Sequence, residues 1–206
     1  MRRIAAAILV ILAASVVVAG CNNSVVVTPP PGSVDTGTGL TTEVPIGATP
    51  WPNGTTGAYG LRIDPSLSNN LPAYVGGNPL VEDAGTEVLA LGDRRYAEVF
   101  EAYYVAQVGS ITDLNWVQVT VARLKGAAIG PDFYASWRED WFDSACSQAG
   151  GIGSTSKETI NDWQVDLATC TGGVRAYTLS LSDGILVSIV DLGPRRLGRQ
   201  LIEAIN

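Results

Sequence analysis

The sequence predicts an α+β domain: a mostly antiparallel sheet packed in two layers against about three helices and closed by one disulfide. Three observations carry this. Helical and strand periodicities alternate in the first half of the domain. The second half is a run of short strands joined by Gly-Gly and Asp-Gly dipeptides, which are hairpin signals. Two cysteines, Cys146 and Cys170, stand as an even pair within it. The order of elements argues against a doubly wound parallel sheet, and no internal repeat occurs.

The domain is expected over residues 59–206, starting near Leu61. Pro72, Gly76-Gly77 and Pro79 mark a loop leading into a short strand around Leu80 to Leu91. Asp93 is placed to cap a helix over Arg94 to Val108. There Tyr96, Val99, Phe100 and Tyr103 recur at helical spacing, with Arg94, Glu98 and Glu101 on the other side and Gly109-Ser110 at the end. Trp116 to Leu124 alternates as a strand, with Val117, Val119 and Val121 on one face and Gln118 and Thr120 on the other. After Gly130-Pro131-Asp132 a helix runs to about Ala145. It stacks Phe133, Trp137 and Trp141 at steps of four and sets Glu139, Asp140 and Asp143 on the opposite arc. The tail reads as strands Trp163 to Thr169, Val174 to Leu181 and Ile185 to Asp191, with turns at Thr171-Gly172-Gly173 and Ser182-Asp183-Gly184. After Pro194 a last helix presents Leu197, Leu201, Ile202 and Ile205 to the sheet and Arg195, Arg196, Arg199 and Glu203 to solvent.

Residues 1–20 are not fold. Met1-Arg2-Arg3 is followed by an uncharged apolar run to Ala19, then Gly20-Cys21 and the polar Asn22-Asn23-Ser24. This is the layout of an export signal, too short and wrongly flanked for a spanning helix. Val18-Ala19-Gly20-Cys21 resembles the lipobox of bacterial prolipoproteins, with Val18 where that family prefers Leu. The resemblance implies cleavage between Gly20 and Cys21, diacylglycerol on the Cys21 thiol and an acyl (palmitate-type) chain on the new amino terminus. Two or more chains would make anchorage stable. Membrane lipid is then an expected partner, and the extracytoplasmic face of the cell membrane the expected location.

Residues 21–58 mix Pro, Gly and Thr, with only Asp35 and Glu43 charged in the stretch after Asn22. Such a segment buries too little apolar surface to order itself and is read as a tether. A flexible chain of that length averages roughly 30 to 37 Å end to end. With Cys21 committed to lipid and an exported, disulfide-permissive location, Cys146 and Cys170 are expected to pair. Their loop of 24 positions corresponds to roughly 3 to 4 kcal/mol in the chain-entropy model.

Charge and composition remove several functions. Loss of Arg2 and Arg3 with the leader leaves 11 basic against 20 acidic side chains, so nucleic acid is not an expected partner. The chain has no histidine, which removes Ser-His-Asp and Cys-His catalysis and imidazole zinc ligands. Ser154-Thr-Ser-Lys157 resembles the Ser-x-x-Lys of β-lactamases and penicillin-binding proteins, but Ser-Asp-Asn and Lys-Thr-Gly are missing and Ser154 is placed in a Gly-rich loop. Gly150-Gly151-Ile-Gly153 completes no phosphate-binding pattern. Glu139, Asp140 and Asp143 read as a solvated helix face, and Trp137 and Trp141 as core. No catalytic residue, metal or cofactor is expected. The binding candidates are Gly150, Gly151, Gly172, Gly173 and Arg175, which should meet at the disulfide end.

The order of elements loosely resembles the Mog1/PsbP-like group of small α/β modules, some of them exported lipoproteins. The functional expectation is a membrane-anchored extracytoplasmic lipoprotein that binds or senses an envelope protein or small ligand. The alternatives are a structural or assembly lipoprotein and a carboxylate-dependent envelope hydrolase.

Overall fold

The computed structural model describes residues 55–110, 114–126, 131–181 and 184–205. The leader, the Gly20-Cys21 junction and the tether as far as residue 54 lie outside the described residues, as do Ser182 and Asp183 of the last expected turn. Thr55 and Gly57 are already hydrogen-bonded to Ile63 and Leu61.

Four two-residue strands open the fold: β1 (Arg62–Ile63), β2 (Tyr74–Val75), β3 (Asn78–Pro79) and β4 (Val81–Glu82), with a 3-10 turn at Pro65–Asn70. Two short helices follow, α1 (Ala84–Leu91) and α2 (Arg94–Val99), then the long hairpin of β5 (Phe100–Ser110) and β6 (Asn115–Leu124). After α3 (Pro131–Cys146) comes the meander β7 (Ile152–Ile160), β8 (Trp163–Cys170), β9 (Arg175–Ser180) and β10 (Ile185–Leu192), and α4 (Leu197–Glu203) ends the described chain. The main sheet runs β1-β5-β6-β10-β9-β8-β7, with β4 also on β5. Among the described residues only the β1–β5 pair is parallel. The fold is therefore α+β with a mixed, mostly antiparallel sheet.

The helices are divided between the two sheet faces, which adds a layer to the two expected. Val117, Val119, Val121, Val187, Ile189 and Leu179 face α4, whose Leu197, Leu201 and Ile202 are buried on them. Tyr103, Val105, Ala122 and Leu186 face α1, α2 and α3. Central strands with apolar side chains on both sides need cover on both; β10 is buried along nearly its whole length.

Three elements differ from the expectation. The segment expected as a strand at Leu80 to Leu91 is strand only through Glu82. The Asp83 carboxylate then accepts the Thr86 amide at 3.1 Å and starts a helix. The helix expected over Arg94 to Val108 stops at Val99, and Phe100 begins β5. Tyr103, Tyr104 and Val105 favour the strand. The Gly/Ser/Thr segment read as a loop around Ser154 is the edge strand β7. With only one neighbour, it needs no apolar face, so its sequence carries no strand period.

Cys146 at the end of α3 and Cys170 at the end of β8 form a disulfide with Cα atoms 5.2 Å apart. It sits in a small cluster with Phe142, Ala168 and Ala176. Replacing both cysteines by serine is expected to lower unfolding stability by roughly 3 to 4 kcal/mol, read as a shift in denaturant midpoint. An unchanged midpoint would show that α3 is held by packing alone. This bond also corrects the expectation about partners. A sulfur in a disulfide cannot carry an acyl chain, so neither Cys146 nor Cys170 can hold lipid, and Cys21 lies outside the described residues. Membrane lipid is therefore not retained as a partner.

Candidate functional site

Helix α3 lies across the sheet face formed by β5, β6, β10, β9 and β8, and a cleft runs along each of its flanks. A helix places residues 137, 141 and 144 on one side and 138, 139 and 142 on the other. The two clefts therefore receive different chemistry from the same element.

The first cleft, about 370 Å³, lies between α3, α2 and the sheet. From α3 come Trp137 and Trp141, stacked with ring centroids 6.4 Å apart and planes within 5°. Facing them are Tyr96 of α2 and Phe100 and Tyr103 of β5. Tyr96 meets Tyr103 edge-on at 5.5 Å, and Phe100 lies 6.3 Å from each. Such ring pairs add to what burial alone supplies. Thr120, Ala122 and Ser188 also line the cleft, together with Arg95, Asp140 and Ser144. Tyr103 shares a hydrogen bond with Thr120, and burial raises its phenol above the ordinary tyrosine range. The indole N–H of Trp141 is buried with no hydrogen-bond partner among the described residues, an unsatisfied donor in a side chain that lines the cleft.

The second cleft, about 420 Å³, lies between α3 and strands β7 and β8. Its centre is Asp166, almost buried on β8. The carboxylate accepts the Tyr134 hydroxyl at 3.0 Å and Arg138 at 3.2 Å, and Lys157 lies 3.7 Å away. The Tyr134 hydroxyl also meets Thr178 at 2.6 Å. Burial first, and then the charge of Asp166, push that phenol up to about 12. These groups satisfy one another and tie α3 to the sheet, so the second cleft has the character of a structural network.

The sequence-derived candidates divide accordingly. Gly150, Gly151, Gly172 and Gly173 do meet beside the disulfide, but the amides of the last three serve the turns. Gly151 donates to Cys146 at 3.0 Å, Gly172 to Ala149 at 2.7 Å and Gly173 to Cys170 at 2.9 Å. Arg175 does not join them; its guanidinium pairs with buried Asp191 at 2.7 Å. Ser154 and Lys157 are three positions apart on a strand and so point to opposite faces; a serine–lysine pair is not assembled. The acidic arc is split, with Glu139 and Asp143 lining the second cleft and Asp140 the first.

No family model, curated protein or solved structure matches the chain. The likeness to the Mog1/PsbP-like modules thus rests on element order alone. Function has to be argued from the clefts.

Sequence reasoning assigned Trp137 and Trp141 to the core and did not single out Tyr96, Phe100, Tyr103, Thr120 or Ser188 as site residues. The two tryptophans pack on the core yet stay half-exposed. The legible signal was a tryptophan pair at helical spacing, in line with Phe133. The rings that face it come from more than 30 positions away, a separation no local pattern encodes.

Proposed function

We propose that the chain is an exported, extracytoplasmic binding domain whose ligand site is the aromatic cleft between α2 and α3. One observation carries this: five aromatic rings from three elements converge on a cleft of about 370 Å³ that is also lined by the hydroxyl residues Thr120, Ser144 and Ser188. A mostly apolar concavity with a few polar groups is the usual form of a small-molecule site. The export-signal pattern of residues 1–20 supports the location, and so does the disulfide, a bond characteristic of oxidising compartments. An assembly role without ligand would favour a large exposed apolar patch. The carboxylate-hydrolase alternative gains no support, because the acids whose pKa burial raises, Glu87 and Asp191, line neither cleft.

The test uses the uncharged fluorophore N-phenyl-1-naphthylamine. It should bind one to one with fluorescence enhancement, and Trp137→Ala should weaken it at least tenfold, about 1.4 kcal/mol. Binding that survives both Trp137→Ala and Tyr96→Ala, or no binding at all, would sink the cleft reading. Intact mass of the full chain expressed in a bacterium tests export: retention of residues 1–20 on cytoplasmic protein would overturn it.

A further inference from the structure

We propose that the cleft selects an organic cation, specifically an alkylated ammonium group carried on an apolar body. This deepens the cleft reading and rests on it. Tyr96, Phe100, Tyr103, Trp137 and Trp141 supply five aromatic side chains to the lining, and a cation seated over the face of such a ring is attracted by its quadrupole.

The formal charges around the cleft reinforce that preference. Asp140, exposed on α3, lines the cleft and has no ion-pair or hydrogen-bond partner among the described residues. Arg95 is the only cation in the lining among the described residues, and its guanidinium is already held by Asp93 at 2.6 Å. One carboxylate is thus free while the one cation is matched, so an anion finds no unpaired positive charge. The whole chain carries a net charge of −7, which adds a long-range bias of the same sign.

The kind of cation follows from the lining. Thr120 and Ser188 are neutral, and the carboxylate available is the exposed one on α3. The acceptors there are scattered among rings, as the hydroxyls of Thr120, Ser144 and Ser188 and the Asp140 carboxylate, so a strongly hydrated primary ammonium gives up more on entry than it regains. An alkylated ammonium is weakly hydrated and asks only for ring faces and one nearby negative charge.

The experiment compares phenyltrimethylammonium with its uncharged isostere tert-butylbenzene and with benzenesulfonate, each displacing N-phenyl-1-naphthylamine. The cation is expected to compete about tenfold better than the isostere, and the sulfonate least of all. Asp140→Asn lies on an exposed site, and its fold is checked by an unchanged unfolding midpoint. It should weaken phenyltrimethylammonium about threefold to tenfold and leave tert-butylbenzene unaltered. Equal competition by cation and isostere, or a stronger effect of the sulfonate, overturns the cation inference while the cleft reading stands. Failure of the fluorophore itself to bind overturns the reading beneath it.

Discussion

Asp191→Ala is expected to destabilise the domain by about 3 to 5 kcal/mol, the range for breaking a buried ion pair by removing one partner. Asp191 is fully buried beneath α4. Its carboxylate accepts Arg175 Nε at 2.7 Å and the Gly198 amide at 2.9 Å, so it pairs a guanidinium and also holds the first turn of α4. The second guanidinium nitrogen of Arg175 donates to the carbonyl of Gly193, a position with φ of +113° where a Cβ would strike the Leu114 carbonyl. The ion pair therefore fixes the whole corner between β10 and α4. Burial raises the Asp191 carboxyl above the ordinary range even though Arg175 and the Gly198 amide pull it down. Desolvation thus outweighs pairing, as in other buried salt bridges.

That balance makes a second result specific. Arg175→Met combined with Asp191→Leu should recover most of the loss, because no charge is then left unpaired in the interior. Denaturant midpoints across the double-mutant cycle measure it. If the double variant is as unstable as Asp191→Ala, the corner depends on the hydrogen bond to Gly198 and not on charge pairing.

The same residues show what was legible in sequence. Arg175 was singled out because it follows Gly172-Gly173, and that adjacency is real. Its side chain, however, points to the other sheet face, toward a residue 16 positions later, and strand parity settles that only when the register is known. The β6 strand and helix α3 were legible because their apolar periods are unmixed. At Arg94 to Val108 the chain changes from helix to strand between Val99 and Phe100. Tyr96, Phe100 and Tyr103 fall in one ring cluster across the change, so a helical period seemed to continue. In β7 the polarity of an edge strand hid the element. The cleft inherits these difficulties, since half of it stands on the misread segment.

Stability is also expected to fall as pH rises from about 5 to 8, and Glu87→Gln should remove the share of that dependence that Glu87 carries. Glu87, on α1, is fully buried and accepts the Val105 amide at 2.9 Å. On the outer edge of β5, β1 pairs at Ala102 and Tyr103 and β4 at Ala106 and Gln107. Glu87 therefore fills the gap between two short strands, where that N–H would otherwise be orphaned. Its other oxygen and one oxygen of Glu82 have no other partner among the described residues. Burial, together with the neighbouring Glu82 and Asp83, pushes the Glu87 pKa from 4.5 up to about 8. A protonated Glu87 can donate to Glu82. Between those two values the native state holds a proton that the unfolded chain has released. The contribution is thus complete below about pH 4.5 and is lost as pH rises toward and past 8, with a slope approaching 1.4 kcal/mol per unit, about 3 kcal/mol between pH 5.5 and 7.5. Glutamine keeps an acceptor for Val105 and supplies a fixed donor to Glu82. The variant should therefore match the parent near pH 5 and exceed it above pH 7 in denaturant midpoint. Glu87→Ala, which leaves the Val105 amide unpaired, should be weaker than the parent at pH 5. A pH slope as steep in Glu87→Gln as in the parent would place the titrating group elsewhere and leave Glu87 with only the edge-filling role.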